Sequence, residues 1–345
     1  MKQMKGLEDI QAIEIEGERL LHSGTHEEIL GAATTDVYFL RTMDILKHMK
    51  REQAIVTAEI FARKPGILVG IEEVKNILKD KNIEIWALDE GESFVEKETL
   101  VRIKGPYSEF GIYETIILGS LASASGWATA AKTIKEACGE KPFISFGARH
   151  VHPAVAPVME RAAVIGGANG ASCVLAAKLL HIEASGTLPH AAMLIAGDTL
   201  DIASVYNEVM PVNHKRIVLV DTFKDEVEES IRIAQALKDR LYGIRLDTPS
   251  ERGGVTPHLV KELRCKLDCA GFEHVKIFVS GGLTPEKIKL LANAGADSFG
   301  VGSYISGASA IDMTMDIKEV DGQPVAKRGR LPGLVDNPKL KLVKY

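Results

Sequence analysis

The feature that most constrains the fold is an alternation of apolar strand-like runs and helical segments, repeated roughly every thirty residues from about residue 142 onward. Runs of this kind occur near residues 143, 172, 183, 216, 241, 275 and 297. Helical segments such as KDEVEESIRIAQALKDR separate most of them. Strands and helices that alternate in this way form parallel βαβ units, and about seven units predict a closed or nearly closed βα barrel.

The first third of the chain has a different pattern. A helical segment from Gly31 precedes the strand-like run AIVTAEIFAR, and a helix over residues 69–79 precedes two further runs, IEIWALDEGESF and TLVRIKGPY. Strands that surround helices without regular alternation predict an α+β domain. We therefore expect an N-terminal α+β domain over 1–118, a βα barrel over 119–310 and a C-terminal segment over 311–345.

Composition narrows the class of protein. The chain of 345 residues is 46% hydrophobic and 26% charged, which suits a folded protein with a full core. Its net charge of −5 gives no global positive field, so we expect no nucleic-acid partner. The sequence has neither a membrane-length apolar run nor a signal peptide, which predicts a cytoplasmic protein. The four cysteines lack zinc-knuckle spacing, and we expect no resident metal site.

Polar residues follow the strand-like runs at the positions where a barrel carries its chemistry. The runs end in FGARHVH, SGTLPH, DTF, LDTPSERGG, SGG and GVGS. In βα barrels, the loops after the carboxyl ends of the strands line the active site. Packing alone does not account for arginine, histidine, aspartate and glycine at one strand end after another, so the sequence predicts a binding or catalytic site there.

The last two of these ends are glycine-rich turns. The terminal βα loops of a barrel often bind a phosphate through backbone N–H groups, helped by a helix N-terminus. After the first turn, Thr284 and Pro285 suit an N-cap and a first helical residue. We therefore predict a phosphate site made by Gly281, Gly282, Gly300, Gly302 and Ser303.

Several segments, taken in order along the chain, resemble nicotinate phosphoribosyltransferases. They are TTDVYFLRTMDIL, FGARHVHP, the block GANGASCVLAAKLLHIEASGTLPH, then VLVDTF, IRLDTPS, VSGGL and FGVGS. The resemblance covers most of the chain and extends more weakly to quinolinate phosphoribosyltransferases. It implies a TIM-like, type II phosphoribosyltransferase fold in which the C-terminal segment packs back on the N-terminal domain.

The resemblance also implies a reaction. Nicotinate and phosphoribosyl pyrophosphate would give nicotinate mononucleotide and pyrophosphate on the route to NAD, with ATP as a co-substrate and Mg²⁺ as cofactor. It implies a homodimer or a higher homo-oligomer, in which Tyr38 stacks on the pyridine ring of the neighbouring subunit's site. Because Tyr38 and Phe39 are adjacent on a helix, one of the two can instead be a core residue.

Further residues take roles from the same resemblance. Asp221 and Asp247 would accept hydrogen bonds from ribose hydroxyls or hold Mg²⁺ through water, and Asp247 is the better match to the ribose-binding acid. The alternative is that both acids cap helices. Arg149 would bind the nicotinate carboxylate through its planar fork, unless it forms a structural salt bridge. Thr187 would lie near the base or the ribose.

His190 is the residue that the resemblance marks for transient phosphorylation by ATP, because a neutral imidazole is nucleophilic near pH 7. The following residues, AAMLIAG, lack the acidic or aromatic residue found after this histidine in many longer members, which leaves the strength of ATP coupling open.

Two alternative functions also stay open. One is a quinolinate phosphoribosyltransferase, which needs a denser arginine and lysine cluster for two carboxylates. The other is a non-catalytic nucleotide sensor that keeps the barrel.

Overall fold

The computed structural model describes residues 3–15, 17 and 19–345 and divides into two compact units. Unit 1 comprises Met1–Thr129 and Ser309–Tyr345, and unit 2 comprises Ala130–Ala308. The boundary after Thr129 lies within the long helix Glu114–Cys138, as does the boundary predicted after residue 118.

Strands and helices are numbered in chain order. The strands are β1 (Ile55–Ala62), β2 (Gly66–Ile67), β3 (Glu84–Ala87), β4 (Ser93–Phe94), β5 (Thr99–Pro106), β6 (Phe143–Ser145), β7 (Gly170–Ala171), β8 (Arg216–Leu219), β9 (Leu241–Leu246), β10 (Lys276–Val279), β11 (Ser298–Val301), β12 (Met313–Val320), β13 (Gln323–Pro324) and β14 (Lys341–Lys344). The helices are α1 (Glu8–Gln11), α2 (His26–Leu30), α3 (Val37–His48), α4 (Ile71–Ile77), α5 (Tyr107–Phe110), α6 (Glu114–Cys138), α7 (Ala156–Ile165), α8 (Val174–Leu179), α9 (His190–Ala196), α10 (Thr199–Val209), α11 (Glu226–Leu237), α12 (Pro257–Cys269), α13 (Pro285–Ala294) and α14 (Ser303–Ser306). Short 3-10 turns lie at Gly111–Tyr113, Ala148–His150, Lys238–Arg240 and Ser250–Arg252.

Unit 1 is built on an antiparallel sheet in the order β13-β12-β1-β5-β3-β14. Strand β1 is central and almost wholly buried, since the apolar side chains of Val56, Ala58 and Ile60 contribute to the core of this unit. Between them, the buried carboxylate of Glu59 accepts hydrogen bonds from Arg102 on β5 at 2.7 and 3.0 Å and from the Val335 backbone N–H at 3.2 Å. These contacts hold the C-terminal segment against the sheet formed by earlier residues.

Unit 2 is built on a parallel sheet in the order β7-β6-β11-β10-β9-β8. Helices α7 and α11 to α13 connect its strands, as the alternation predicted. Thr284 caps α13 by accepting from the Lys287 backbone N–H, and Pro285 is the first helical residue, which confirms the predicted helix start. The predicted α/β fold with parallel βα units is confirmed.

The barrel predicted as closed or nearly closed is a half-barrel, and one of the seven predicted strands is absent. The sheet is a half-barrel, because β7 and β8 are its two edges and do not pair. The run near residue 172 forms only the two-residue β7 and then α8, whose sequence VLAAKL is rich in helix-forming residues. The run near residue 183 forms no strand; its one ladder-like bond joins the Ser185 N–H to the Ala171 carbonyl at 2.8 Å.

In the described part of the chain, no helix combines the length and the apolar composition needed to cross a bilayer.

Candidate active site

The carboxyl ends of the unit 2 strands bring the predicted polar residues to one edge of the sheet. Along the sheet order, this edge carries Arg149 after β6, Gly302 after β11, Gly281 after β10, Asp247 after β9 and Asp221 after β8. The strands are parallel, so their carboxyl ends share one side. Residues that are far apart in sequence therefore face a common region.

Asp221 is buried without a hydrogen-bond partner. Its side chain is 1% exposed, and neither carboxylate oxygen has a hydrogen-bond partner among the residues that the structure describes. The hydroxyl of the adjacent Thr222 is also buried and unpartnered. Buried polar groups are almost always hydrogen-bonded in folded proteins. The Asp221 carboxylate and the Thr222 hydroxyl are therefore available to bind a ligand.

His190 lies close to this carboxylate. It is the first residue of α9, and its Nε2 lies 3.3 Å from Asp221 Oδ1, at a contact without hydrogen-bond geometry. The His190 side chain is 39% exposed, so the imidazole is open to solvent on one side while it touches a buried acid on the other. Burial raises the pKa of Asp221, the nearby His190 and the residue's own backbone N–H lower it, and the charge of Asp247 raises it.

Asp247 has the opposite surroundings. Its Oδ2 accepts from Arg245 Nη2 at 3.0 Å, and its Oδ1 accepts from the Ser280 hydroxyl at 2.9 Å. Arg245 also donates from Nε to Ser280 at 2.9 Å and from Nη1 to the Thr187 hydroxyl at 2.8 Å. We call Thr187, Arg245, Asp247 and Ser280 the strand-end network. It connects the ends of β9 and β10 with the loop that carries Thr187.

Arg245 was not among the residues predicted from the sequence. It lies in the run LYGIRLDT, where side chains alternate between the two faces of the strand, so Arg245 faces the same side as Asp247 two residues later. That spacing was the available signal. The guanidinium lies 5.3 Å from the centroid of the Phe146 ring, and the two residues border a small internal cavity of about 30 Å³ together with Thr187 and Phe278.

The two glycine-rich turns have different physical causes. Gly281 and Gly282 have φ of +93° and +56°, a conformation that side chains rarely adopt. Gly300 has ordinary strand conformation, but a Cβ there would lie 2.3 Å from a ring carbon of Phe146. At Gly302, a Cβ would lie 2.8 Å from a ring carbon of His150. Close packing therefore requires glycine in the second turn, while backbone conformation requires it in the first.

The remaining predicted residues are exposed. Arg149 lies on the 3-10 turn Ala148–His150, and Ser303 begins the four-residue helix α14. Tyr38 lies on α3 in unit 1 and is 53% exposed, while the neighbouring Phe39 is 6% exposed and belongs to the core. Of these two aromatic residues, Phe39 is thus the core residue, and Tyr38 is free to contact another molecule.

The two histidines near Arg149 make local contacts. His150 Nδ1 lies 3.2 Å from the Ser306 hydroxyl, and His152 Nδ1 accepts from the Ala154 backbone N–H at 3.1 Å. Among the described residues, no group of three or more histidine, cysteine, aspartate or glutamate side chains is arranged to hold a metal ion.

A parallel half-barrel with acids at its strand ends, accompanied by an antiparallel N-terminal domain, defines the type II phosphoribosyltransferase class. The chain belongs to the quinolinate phosphoribosyl transferase family. Residues 36–125 match the family's N-terminal domain and residues 127–316 match its C-terminal domain.

Two curated relatives carry the name nicotinate phosphoribosyltransferase. The pncB2 protein of Mycobacterium tuberculosis is 30% identical over 249 residues, which are 69% of this chain and 52% of that protein. The Bacillus subtilis protein is 33% identical over 229 residues, 64% of this chain and 45% of that protein. The chain thus spans about half the length of these relatives. They confirm the resemblance found in the sequence.

Solved structures show the same fold. The nicotinate-nucleotide pyrophosphorylase of Pyrococcus furiosus is 43% identical, with a TM-score of 0.88 over 94% of this chain and 86% of that chain. Human nicotinic acid phosphoribosyltransferase is 20% identical, with a TM-score of 0.70 over 87% of this chain and 77% of that chain. The second likeness concerns the fold alone.

Proposed function

We propose that this protein is a nicotinate phosphoribosyltransferase of NAD biosynthesis. In the reaction, the pyridine nitrogen of nicotinate bonds to C1 of phosphoribosyl pyrophosphate as the C1–oxygen bond breaks and pyrophosphate leaves. Family membership and the names of the relatives support this class of reaction. The substrates already contain every reacting atom. The protein therefore has to position them and to stabilise the charge that develops in the transition state.

The observation that carries the proposal is the buried, unpartnered carboxylate of Asp221 beside the hydrogen-bonded Asp247. Positive charge develops at the ribose C1 as pyrophosphate departs, and two carboxylates at neighbouring strand ends stabilise it. The free oxygens of Asp221 also suit ribose hydroxyls or the waters of a Mg²⁺ ion that enters with phosphoribosyl pyrophosphate. The positive-φ turn at Gly281 and Gly282, followed by α13, leaves backbone N–H groups for the 5′-phosphate.

Arg245 and Arg149 divide the recognition of the nicotinate carboxylate. Arg245 is 16% exposed and lies over the Phe146 ring. It donates hydrogen bonds to the side chains of Thr187, Asp247 and Ser280. These contacts hold its positive charge in a fixed position at the inner end of the site. Arg149 is exposed and can approach a ligand from outside. Tyr38 of a neighbouring subunit would cover the pyridine ring, which makes the active form a homodimer or a larger homo-oligomer.

ATP coupling through His190 is the finer part of the proposal. The negative charge of Asp221, 3.3 Å from His190 Nε2, attracts a proton to that nitrogen and would leave Nδ1 as the nucleophile. Nδ1 attacks the γ-phosphorus of ATP, the bond to the β,γ-bridging oxygen breaks, and ADP leaves. Water later takes the phosphoryl group from the histidine as orthophosphate.

Quinolinate phosphoribosyltransferase is the second candidate. The family models and the 43% identical pyrophosphorylase structure favour it. Quinolinate carries two carboxylates, and its reaction releases one of them as CO₂. Of the two arginines proposed for the base site, Arg245 already pairs with Asp247. Arg149 together with a partly neutralised Arg245 suits one carboxylate better than two.

The deciding experiment measures pyrophosphate release from phosphoribosyl pyrophosphate and Mg²⁺ with nicotinate or quinolinate, each with and without ATP. We expect turnover with nicotinate that ATP raises, and one phosphoryl group on the protein by intact mass. His190→Ala should keep the basal turnover and lose both the ATP effect and the phosphoryl group. The matched control is His48→Ala, an exposed histidine in the last turn of α3.

Each alternative has its own result. Turnover with quinolinate and release of CO₂ would replace nicotinate as the acceptor. Binding of phosphoribosyl pyrophosphate without release of pyrophosphate, with either acceptor, would identify a sensor instead of an enzyme. ATP stimulation that survives in His190→Ala would refute the phosphohistidine and leave the transferase assignment standing.

A further inference from the structure

Two adjoining cavities lie in unit 2 at the amino-terminal ends of the parallel strands, opposite to the site with Asp221 and Asp247. The inner cavity, of about 840 Å³, lies inside the half-barrel. The outer cavity, of about 310 Å³, lies beside the starts of β8 and β9. His214, Lys215 and Tyr242 line both cavities, so one molecule can occupy the two at once.

The inner cavity exists because the half-barrel is not filled. Layers of side chains normally pack the interior of a βα barrel. Here the strand near residue 183 is missing, and small residues line the space, among them Ser185, Gly186 and Ser298. The cavity opens to solvent beside His214 and Lys215, and its volume falls in the range of small-molecule sites. This end of the sheet therefore has room for a ligand.

The outer cavity is cationic. Lys215, Arg216 and Arg240 line it together with two histidines, against the single acid Asp239. Arg216 is 1% exposed, and its two Nη atoms donate to five backbone carbonyls of residues 207–214. Its Nε, however, has no hydrogen-bond partner within the described part of the chain. A buried cationic donor without an acceptor favours an anion in the cavity that it borders.

The inner cavity has a mixed lining. The rings of Tyr242 and Phe278 lie 6.0 Å apart between centroids, and the side chains of Ile144 and Ile217 extend this apolar surface. Carboxylates of Glu183 and Asp297 also border the space. Aromatic and aliphatic side chains suit a planar heterocycle, and carboxylates accept hydrogen bonds from sugar hydroxyls.

We propose that these cavities form a second ligand site, which binds a nucleoside monophosphate. The base lies in the inner cavity against Phe278, and the phosphate lies in the outer cavity at Lys215 and Arg216. Tyr242 lies between the two parts. This site lies at the opposite ends of the strands from the carboxylates of Asp221 and Asp247. A nucleotide bound there can therefore affect the protein without competing with substrate for the same space. The inference does not depend on the proposed reaction.

Acylation footprinting tests the site directly. Lys215 is exposed, and its rate of modification by an amine-acylating reagent can be read by peptide mass spectrometry. AMP and nicotinate mononucleotide serve as probes, which distinguishes an adenine from a pyridine nucleotide. We expect one of them to slow acylation of Lys215 about tenfold at saturation. Lys266, exposed on the outer helix α12, should react at an unchanged rate and is the internal control.

Variants locate the two halves of the ligand. Arg240→Gln should weaken protection by lowering the charge of the outer cavity, and Ile217→Trp should abolish protection by filling the inner one. Lys266→Gln is the matched surface control. Because Arg240 is exposed, its variant tests the site even where Ile217→Trp does not fold. Lack of protection by both nucleotides would overturn the proposal. Equal protection by inorganic phosphate would also overturn it, since the site would then bind only an anion.

Discussion

The ends of β8 and β9 carry two acids in opposite states. Asp221, after β8, is buried and neither oxygen has a hydrogen-bond partner among the described residues. Asp247, after β9, is 20% exposed and has both oxygens occupied by Arg245 and Ser280. The two acids occupy equivalent positions on neighbouring strands. Asp247 belongs to the strand-end network, in which both of its oxygens accept hydrogen bonds, and Asp221 does not.

The difference separates framework from binding surface. A satisfied carboxylate stabilises the fold and orients its partners, and its loss leaves Arg245 unpaired. An unsatisfied buried carboxylate destabilises the protein until a ligand supplies what is missing. Under the proposed function, Asp221 is therefore the acid that would bind a ribose hydroxyl or a hydrated cation, while Asp247 also orients Arg245. Substitutions at the two positions should have different effects on activity and on stability.

The largest expected effect is the loss of activity in Asp221→Asn. The variant keeps the shape of the side chain and removes the charge that faces the reacting ribose, so kcat/KM for phosphoribosyl pyrophosphate should fall by about 10²–10³-fold. Its free energy of unfolding should stay unchanged or rise, because a desolvated charge is gone. Pyrophosphate release and urea denaturation measure the two quantities. Asp201→Asn, at an exposed position on α10, is the control, and full activity in Asp221→Asn would remove Asp221 from the site.

The next effect is the loss of stability in Asp247→Asn. This variant breaks the ion pair with Arg245, whose side chain is only 16% exposed, and should lower the free energy of unfolding by roughly 1–3 kcal/mol. Urea denaturation of both aspartate variants in parallel gives the comparison. Equal stability of Asp221→Asn and Asp247→Asn would show that the strand-end network does not stabilise unit 2, and the contrast between the two acids would fail.

The sequence was sufficient to predict the parallel βα units, because strand and helix periodicities are local and strong. It was also sufficient to place the polar strand ends on one edge, because parallel strands carry them there. The missing strand near residue 183 was not predictable in this way. EASGT has no apolar alternation, so its own residues gave little support for the strand that was predicted there.

The states of the two acids lay beyond sequence reasoning as well. DTF and LDT are nearly the same motif, and only tertiary packing decides that Arg245 reaches Asp247 while nothing described reaches Asp221 with hydrogen-bond geometry. The same holds for Gly300, where the requirement for glycine comes from Phe146, a residue more than one hundred positions away in the chain. Local sequence patterns thus predict which residues lie at the strand ends. Long-range contacts determine which of those residues are hydrogen-bonded within the protein and which are not.

The smallest expected effect is a pH dependence of the stability difference between wild type and Asp221→Asn. Burial, with a contribution from Asp247, raises the pKa of Asp221 above its ordinary value of 3.8, so the folded state binds the proton more tightly than the unfolded state. The stability that the protonated acid gives is present below pH 3.8 and is lost as the pH rises through the raised pKa. The variant should therefore gain stability relative to wild type as the pH increases over this interval. Urea denaturation of both proteins at each pH measures the difference.

Glu114 makes this comparison of two proteins necessary. Burial, with the nearby charge of Asp316, raises its pKa to about 7, so wild type alone should lose stability with rising pH for a second reason of the same sign. Glu114 is present in both wild type and Asp221→Asn, and its contribution cancels in their difference. Asp201→Asn, at an exposed position, is the control variant for the substitution itself. A difference for Asp221→Asn that shrinks with rising pH would mean that the folded protein stabilises the charged form, and Asp221 would then have a partner.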